Sequence, residues 1–131
     1  MSAPKRVERP LSPFMIGPYY RPQMTSISSI MIRITGLGLI VGIALAVAWI
    51  FAAATSESLF NCVNWLVTSW VGILIWVGSA WAVWYHLLGG VRHFMFDAGK
   101  AMDVPTAEKL GWGMFIGATV LTVITIIVAV V

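Results

Sequence analysis

The sequence predicts an all-α membrane protein with three transmembrane helices, and three observations carry that reading. The chain is 60% hydrophobic and 10% charged, with a mean hydropathy of +0.91. An ordinary soluble domain carries about 25% charged residues, and a chain of 131 residues is too small to hide so much apolar surface in its own core. Three charge-free runs follow one another: Ile34–Ser56, Ser58–Val91 and Leu110–Val131, of 23, 34 and 22 residues. About 20 apolar residues cross a bilayer. All eight Lys and Arg residues fall in the N-terminal arm, at the start of the first run, or between the second and third runs.

Residues 1–28 read as an arm. Five of the six prolines lie there, and proline removes a backbone donor and clashes inside helices. Tyr19, Tyr20 and Arg21 suit the headgroup level. No apolar signal-peptide core follows the first residues, MSAPKRVERPLSP, and the prolines disfavour a helical transit peptide. That favours a bacterial inner membrane over a mitochondrial one. The transmembrane domain then covers 29–131, with Ser26, Ser28 or Ser29 as candidate caps of its first helix.

The first span is expected over about 29–54. A loop over 55–64 carries one charge, Glu57, and the second span runs over about 65–93. A charged loop interrupted by Pro105 leads to the third span, about 110–131. By the positive-inside rule the N-terminus and the loop between spans two and three face the cytoplasm, and the C-terminus faces the other side. The basic balance, +3 overall, is thus a matter of topology, and scattered bases give nucleic-acid binding no support. Cys62 has no partner for an internal disulfide. Gly38 with Gly42 and Gly113 with Gly117 make small-residue pairs that let helices approach closely. Trp70, Trp76, Trp81 and Trp84 crowd the second span, either as packing bulk or as walls of a flat cofactor.

An ionisable side chain inside an apolar span marks a functional site by default. The stretch Tyr85–Gly99, YHLLGGVRHFMFDAG, supplies His86, Arg92, His93 and Asp97. His93 lies about 10.5 Å along the axis from His86 on nearly the same face. The two therefore cannot ligate one iron from opposite sides. With no third histidine, a bis-histidine haem would need its second ligand from another chain. Gly89 and Gly90, one turn after His86, open a slot beside the imidazole, and Arg92 at the aqueous end is a candidate partner for a propionate. On α-helical spacing Ser29 and Arg33 share a face and together can polarise a carbonyl oxygen of a lipid-soluble quinone. The bland readings are a packing histidine, a capping serine and a snorkelling arginine. Zinc and phosphate motifs and catalytic triads are absent.

Two stretches resemble the cytochrome b subunit of succinate dehydrogenase, the larger membrane anchor of respiratory complex II. Arg9-Pro10-Leu11-Ser12-Pro13 followed by Ser29-Ile30-Met31-Ile32-Arg33-Ile34-Thr35-Gly36 is similar to the family's RPLSP arm and S-I-x-H-R-x-[ST]-G segment. His86-x-x-x-Gly90-Val91-Arg92-His93-x-x-x-Asp97-x-Gly99 is similar to H-x(3)-G-x-R-H-x-x-x-D-x-G. The resemblance implies a complex with a flavoprotein, an iron–sulfur subunit and a second small membrane anchor, passing electrons from succinate to ubiquinone. It implies that His86 is an axial ligand of haem b, with the opposite ligand on the second anchor. Ser29 and Arg33 would line the quinone pocket, and Arg33, Arg92 and His93 would lie near the propionates. The departure from the pattern is Ile32, where the family has a histidine near the propionates and the quinone. A haem-free structural anchor of a fumarate-reductase-like complex is the alternative, and the subunit is expected to have no activity of its own.

Overall fold

The computed structural model describes residues 20–131, so the arm's Arg9–Pro13 and Tyr19 lie outside the described residues. Four helices follow in order: α1 Met24–Thr55, α2 Glu57–Thr68, α3 Trp70–Asp97 and α4 Val104–Val130. Among the described residues α1, α3 and α4 are long and apolar enough to cross a membrane.

The boundaries differ from the sequence expectation, each for a local reason. Helix α1 starts at Met24, one turn inside the expected arm, directly after Pro22-Gln23. Gln23 occupies the cap position without a side-chain cap bond, so none of Ser26, Ser28 and Ser29 caps the helix. Instead the Gln23 carbonyl accepts from the amides of Ser26 and Ile27, both at 3.0 Å.

Residues 55–64 are mostly helix rather than loop. Ser56 closes α1 and caps α2, its side chain accepting from the Leu59 amide at 3.3 Å. Ser69 repeats the device. Its hydroxyl donates to the Leu66 carbonyl at 2.6 Å and accepts from the Gly72 amide at 3.2 Å, so α3 begins at Trp70 instead of 65. A β-carbon at Gly72 would strike the carbonyl oxygens of Leu66 and Val67, and only glycine permits so close a crossing of the two backbones.

Helix α3 ends on a left-handed glycine. Gly99 has φ +69°, the Lys100 amide donates to the Met95 carbonyl at 2.8 Å and the Gly99 amide to Phe96 at 2.9 Å, the double closure typical of a glycine-terminated helix. Pro105 does not break the next segment. It stands in the first turn of α4, where its missing N–H costs nothing. Asp103 caps that turn, accepting from the Thr106 amide at 3.0 Å.

The three long helices bury one narrow stripe each. On α1 the buried residues Ser28, Thr35 and Gly42 recur every seven positions. On α4 the stripe is Ala107, Gly111, Met114, Ala118 and Thr122. Tyr85, Met114 and Ala118 form the core, with Ile32, Trp81, Leu88 and Phe115 against them. Most large apolar side chains outside this stripe are exposed, among them Leu37, Ile40, Ile50 and Ile73, as lipid or a partner membrane chain requires.

Of the small-residue pairs, one glycine of each makes the close approach. A β-carbon at Gly42 would meet Ser79, and one at Gly117 would lie 2.8 Å from Leu88 Cδ1; Gly38 and Gly113 face open space. Two of the crowded tryptophans serve packing. Trp81 stacks on Tyr85 with centroids 5.0 Å apart and donates to Thr119 Oγ1 at 3.1 Å. Trp84 donates to Thr125 Oγ1 at 2.9 Å. Both side chains therefore engage α4.

Candidate functional site

Two polar clusters join α1 to α3, one heptad apart. The first is centred on Ser28, which is fully buried. Its hydroxyl accepts from Arg92 Nη1 at 2.6 Å and donates to the Thr25 carbonyl at 3.0 Å. Its carbonyl accepts from the Tyr85 hydroxyl at 3.0 Å. Arg92 Nη2 donates to the Ala107 carbonyl of α4 at 3.3 Å, and the Phe96 ring lies under the guanidinium, 5.0 Å from its carbon. Arg92 is 7% exposed. It is committed to all three helices and to neither Asp97 nor the aqueous surface, which is where a partner for a propionate was expected. Its Nε is buried without a partner, the one polar atom this cluster leaves unsatisfied among the described residues.

The second cluster is centred on His86, which is half-buried. Its Nδ1 lies 3.1 Å from Thr35 Oγ1 and 3.3 Å from the Ala82 carbonyl. The Thr35 hydroxyl donates its only hydrogen to the Met31 carbonyl at 2.7 Å, with the Ile32 carbonyl at 3.2 Å. Both groups facing Nδ1 are therefore acceptors. From these partners we assign the ring hydrogen to Nδ1, which leaves the Nε2 lone pair for something else.

That free nitrogen lies against Gly36. A β-carbon there would sit 3.3 Å from Nε2 and 3.6 Å from Cε1. Any larger residue would crowd the one atom able to bind a metal. A neutral imidazole with one nitrogen tied to a hydroxyl and the other clear of side chains is the donor that haem iron takes. The residues present fit the group.

Beside this cluster an apolar groove of about 330 Å³ runs between α1 and α3, lined by Thr35, Gly38, Ser79 and Ala82 among others. The glycines flanking His86 divide. A β-carbon at Gly89 would lie 2.9 Å from Ile32 Cδ1 and 3.1 Å from Met114 Cε, so Gly89 faces the core; Gly90 has open space. Ile32, at the family's histidine position, thus fills the gap that Gly89 leaves. Ser29, Arg33, His93 and Asp97 are all exposed. Ser29, Arg33 and Gly36 share one face of α1 on helical spacing, so the exposed pair leads toward the His86 ring. The bonds of Ser28 and Tyr85 to α3 and α1, and the place of Gly36 against the His86 ring, are not apparent from the sequence alone. The seven-residue step from Ser29 to Gly36 and from Ser28 to Thr35 was the available signal.

The profile of the succinate dehydrogenase/fumarate reductase transmembrane subunit family matches residues 5–126. The chain belongs to this family. It is 45% identical to the succinate dehydrogenase cytochrome b556 subunit of Paracoccus denitrificans over 98% of this chain and 97% of that one. It is also 29% identical to the cytochrome b556 subunit of Rickettsia conorii over 89% of this chain and 90% of that one. Against the succinate dehydrogenase cytochrome b560 subunit of Chondrus crispus the identity is 25%, over 88% and 91% of the two chains. As a succinate dehydrogenase cytochrome b subunit in a transmembrane-subunit family, the chain is part of an oxidoreductase complex.

Proposed function

We propose that this chain anchors a flavoprotein and an iron–sulfur subunit to the bacterial inner membrane, pairs with a second small anchor subunit, and helps pass electrons from succinate to ubiquinone. In this reading His86 Nε2 would ligate the iron of a haem b shared with the second anchor, which would supply the other protein ligand. The haem, when bound, supplies a reversible one-electron carrier beside the quinone site. The observation that carries the proposal is the state of His86: Nδ1 faces two acceptors, and Nε2 is left free against a glycine.

Ser29 and Arg33 are the quinone-site residues in this proposal. The serine hydroxyl donates to a quinone carbonyl oxygen, and the arginine charge stabilises negative charge as it grows on that oxygen. Their exposure on α1 leaves both side chains available to a substrate held between this chain and its partners. Arg33 and His93 remain the candidates for contact with the haem propionates, since the Arg92 guanidinium is held inside the bundle. The basic start of α1 and the α3–α4 loop lie at one end of the three spans, which the positive-inside rule assigns to the cytoplasm.

The test is the reduced-minus-oxidised spectrum of the assembled complex carrying His86→Ala. Loss or displacement of the haem bands is expected; an unchanged spectrum removes His86 from the site. Ser29→Ala should lower succinate-driven quinone reduction while sparing succinate oxidation by a soluble dye, and equal loss of both would contradict the quinone role.

A further inference from the structure

We propose that Thr35 is the positioning residue of the His86 ligand: its hydroxyl fixes the ring's tautomer and plane and, through the bond to Nδ1–H, holds down the reduction potential of the haem. The inference rests on the reading of His86 as ligand and goes one residue further.

Thr35 is built for an acceptor's role. It is 8% exposed on the buried stripe of α1. Its Oγ1 is tied back to Met31 O at 2.7 Å, the i−4 bond by which a helical threonine holds one rotamer. A hydroxyl already donating its hydrogen accepts more strongly, because successive hydrogen bonds polarise one another. The competing acceptor, the Ala82 carbonyl, is longer at 3.3 Å and belongs to the same helix as the ring. Thr35 alone ties the imidazole to α1. It thereby sets the ring against Gly36, whose missing side chain leaves Nε2 clear.

Acceptors on the far nitrogen of a ligating histidine raise the basicity of the near one. A more basic nitrogen favours the more positive, oxidised iron. Removing the acceptor should therefore raise the midpoint potential, and freeing the ring should change its plane.

The experiment is a redox titration of the haem in the assembled complex, with electron paramagnetic resonance of its oxidised form, for wild type, Thr35→Val and Thr35→Ser. Valine keeps the shape and deletes the oxygen; serine keeps the oxygen. The expected result is a higher midpoint and displaced g-values in Thr35→Val, with both returning toward wild type in Thr35→Ser. Wild-type values in Thr35→Val, or an equal displacement in Thr35→Ser, overturn the proposal. If the valine variant does not assemble, Thr35→Ala against Thr35→Ser poses the same contrast. Haem bands that survive His86→Ala would overturn the ligand reading itself. Lost bands there, beside a wild-type potential in Thr35→Val, would overturn only the role of Thr35.

Discussion

The Ser28 and Thr35 clusters are built from the same parts and end in opposite states. Each joins a buried α1 hydroxyl to a nitrogen side chain of α3, and the two hydroxyls stand seven residues apart. Around Ser28 the hydroxyl, its own carbonyl, both terminal guanidinium nitrogens and the Tyr85 phenol are engaged, Arg92 Nε alone is left unpaired among the described residues, and three helices close over them. Around Thr35 one ring nitrogen is satisfied and the other is left open beside a glycine. In an apolar medium a closed cluster with nearly every group paired inside the bundle is a joint, whereas one that leaves a lone pair open at its edge wants a ligand. The structural and functional parts of this small bundle separate along that line.

The largest effect is expected at Arg92. Arg92→Ala would strip Ser28 Oγ and the Ala107 carbonyl of their charged donor and leave a hole among three helices. A loss of about 2–4 kcal/mol is expected, read as a lower thermal-inactivation temperature and a poorer yield of assembled complex. Tyr85→Phe removes only the bond to the Ser28 carbonyl and keeps the stack with Trp81, so about 1 kcal/mol is expected in the same assay.

On the open side, Gly36→Ala should leave assembly intact while reducing haem affinity about tenfold, the scale seen when the surroundings of a ligating histidine are disturbed; haem content per flavin reports it. The smallest effect belongs to the α4 cap. The Thr106 hydroxyl, and then its amide, hold the Asp103 carboxyl below its ordinary value of 3.8. A carboxylate whose value is depressed by folding stabilises the fold above its unfolded value and loses that contribution as pH falls through the folded one. Acid below that value should therefore weaken the first turn of α4 slightly. Asp103→Asn should remove that pH dependence, as hydrogen exchange of the Thr106 amide would show.

Much of this was legible in the residues. Apolar length and charge placement identify three spans because those properties do not depend on neighbours. His86 stands out because an ionisable group near the end of a long apolar run has few other uses. The helix ends were harder to read. Ser56 and Ser69 look like loop residues, yet each ends one helix and starts another, and Pro105 reads as a breaker until its place in the first turn is known. Arg92 is a related case. Its position near the aqueous end suggests a free charge, but its burial is decided by Ser28 and Ala107, 64 and 15 residues away. Ile32 looked like a lost histidine; beside Gly89 it is the side chain that closes the core.

The most direct test sets the two clusters side by side: haem per flavin in purified complex carrying either His86→Ala or Arg92→Ala. His86→Ala is expected to assemble without haem. Whatever Arg92→Ala complex assembles, at lower yield, is expected to carry the wild-type ratio. Equal haem loss in both variants, or haem retained in His86→Ala, would contradict it.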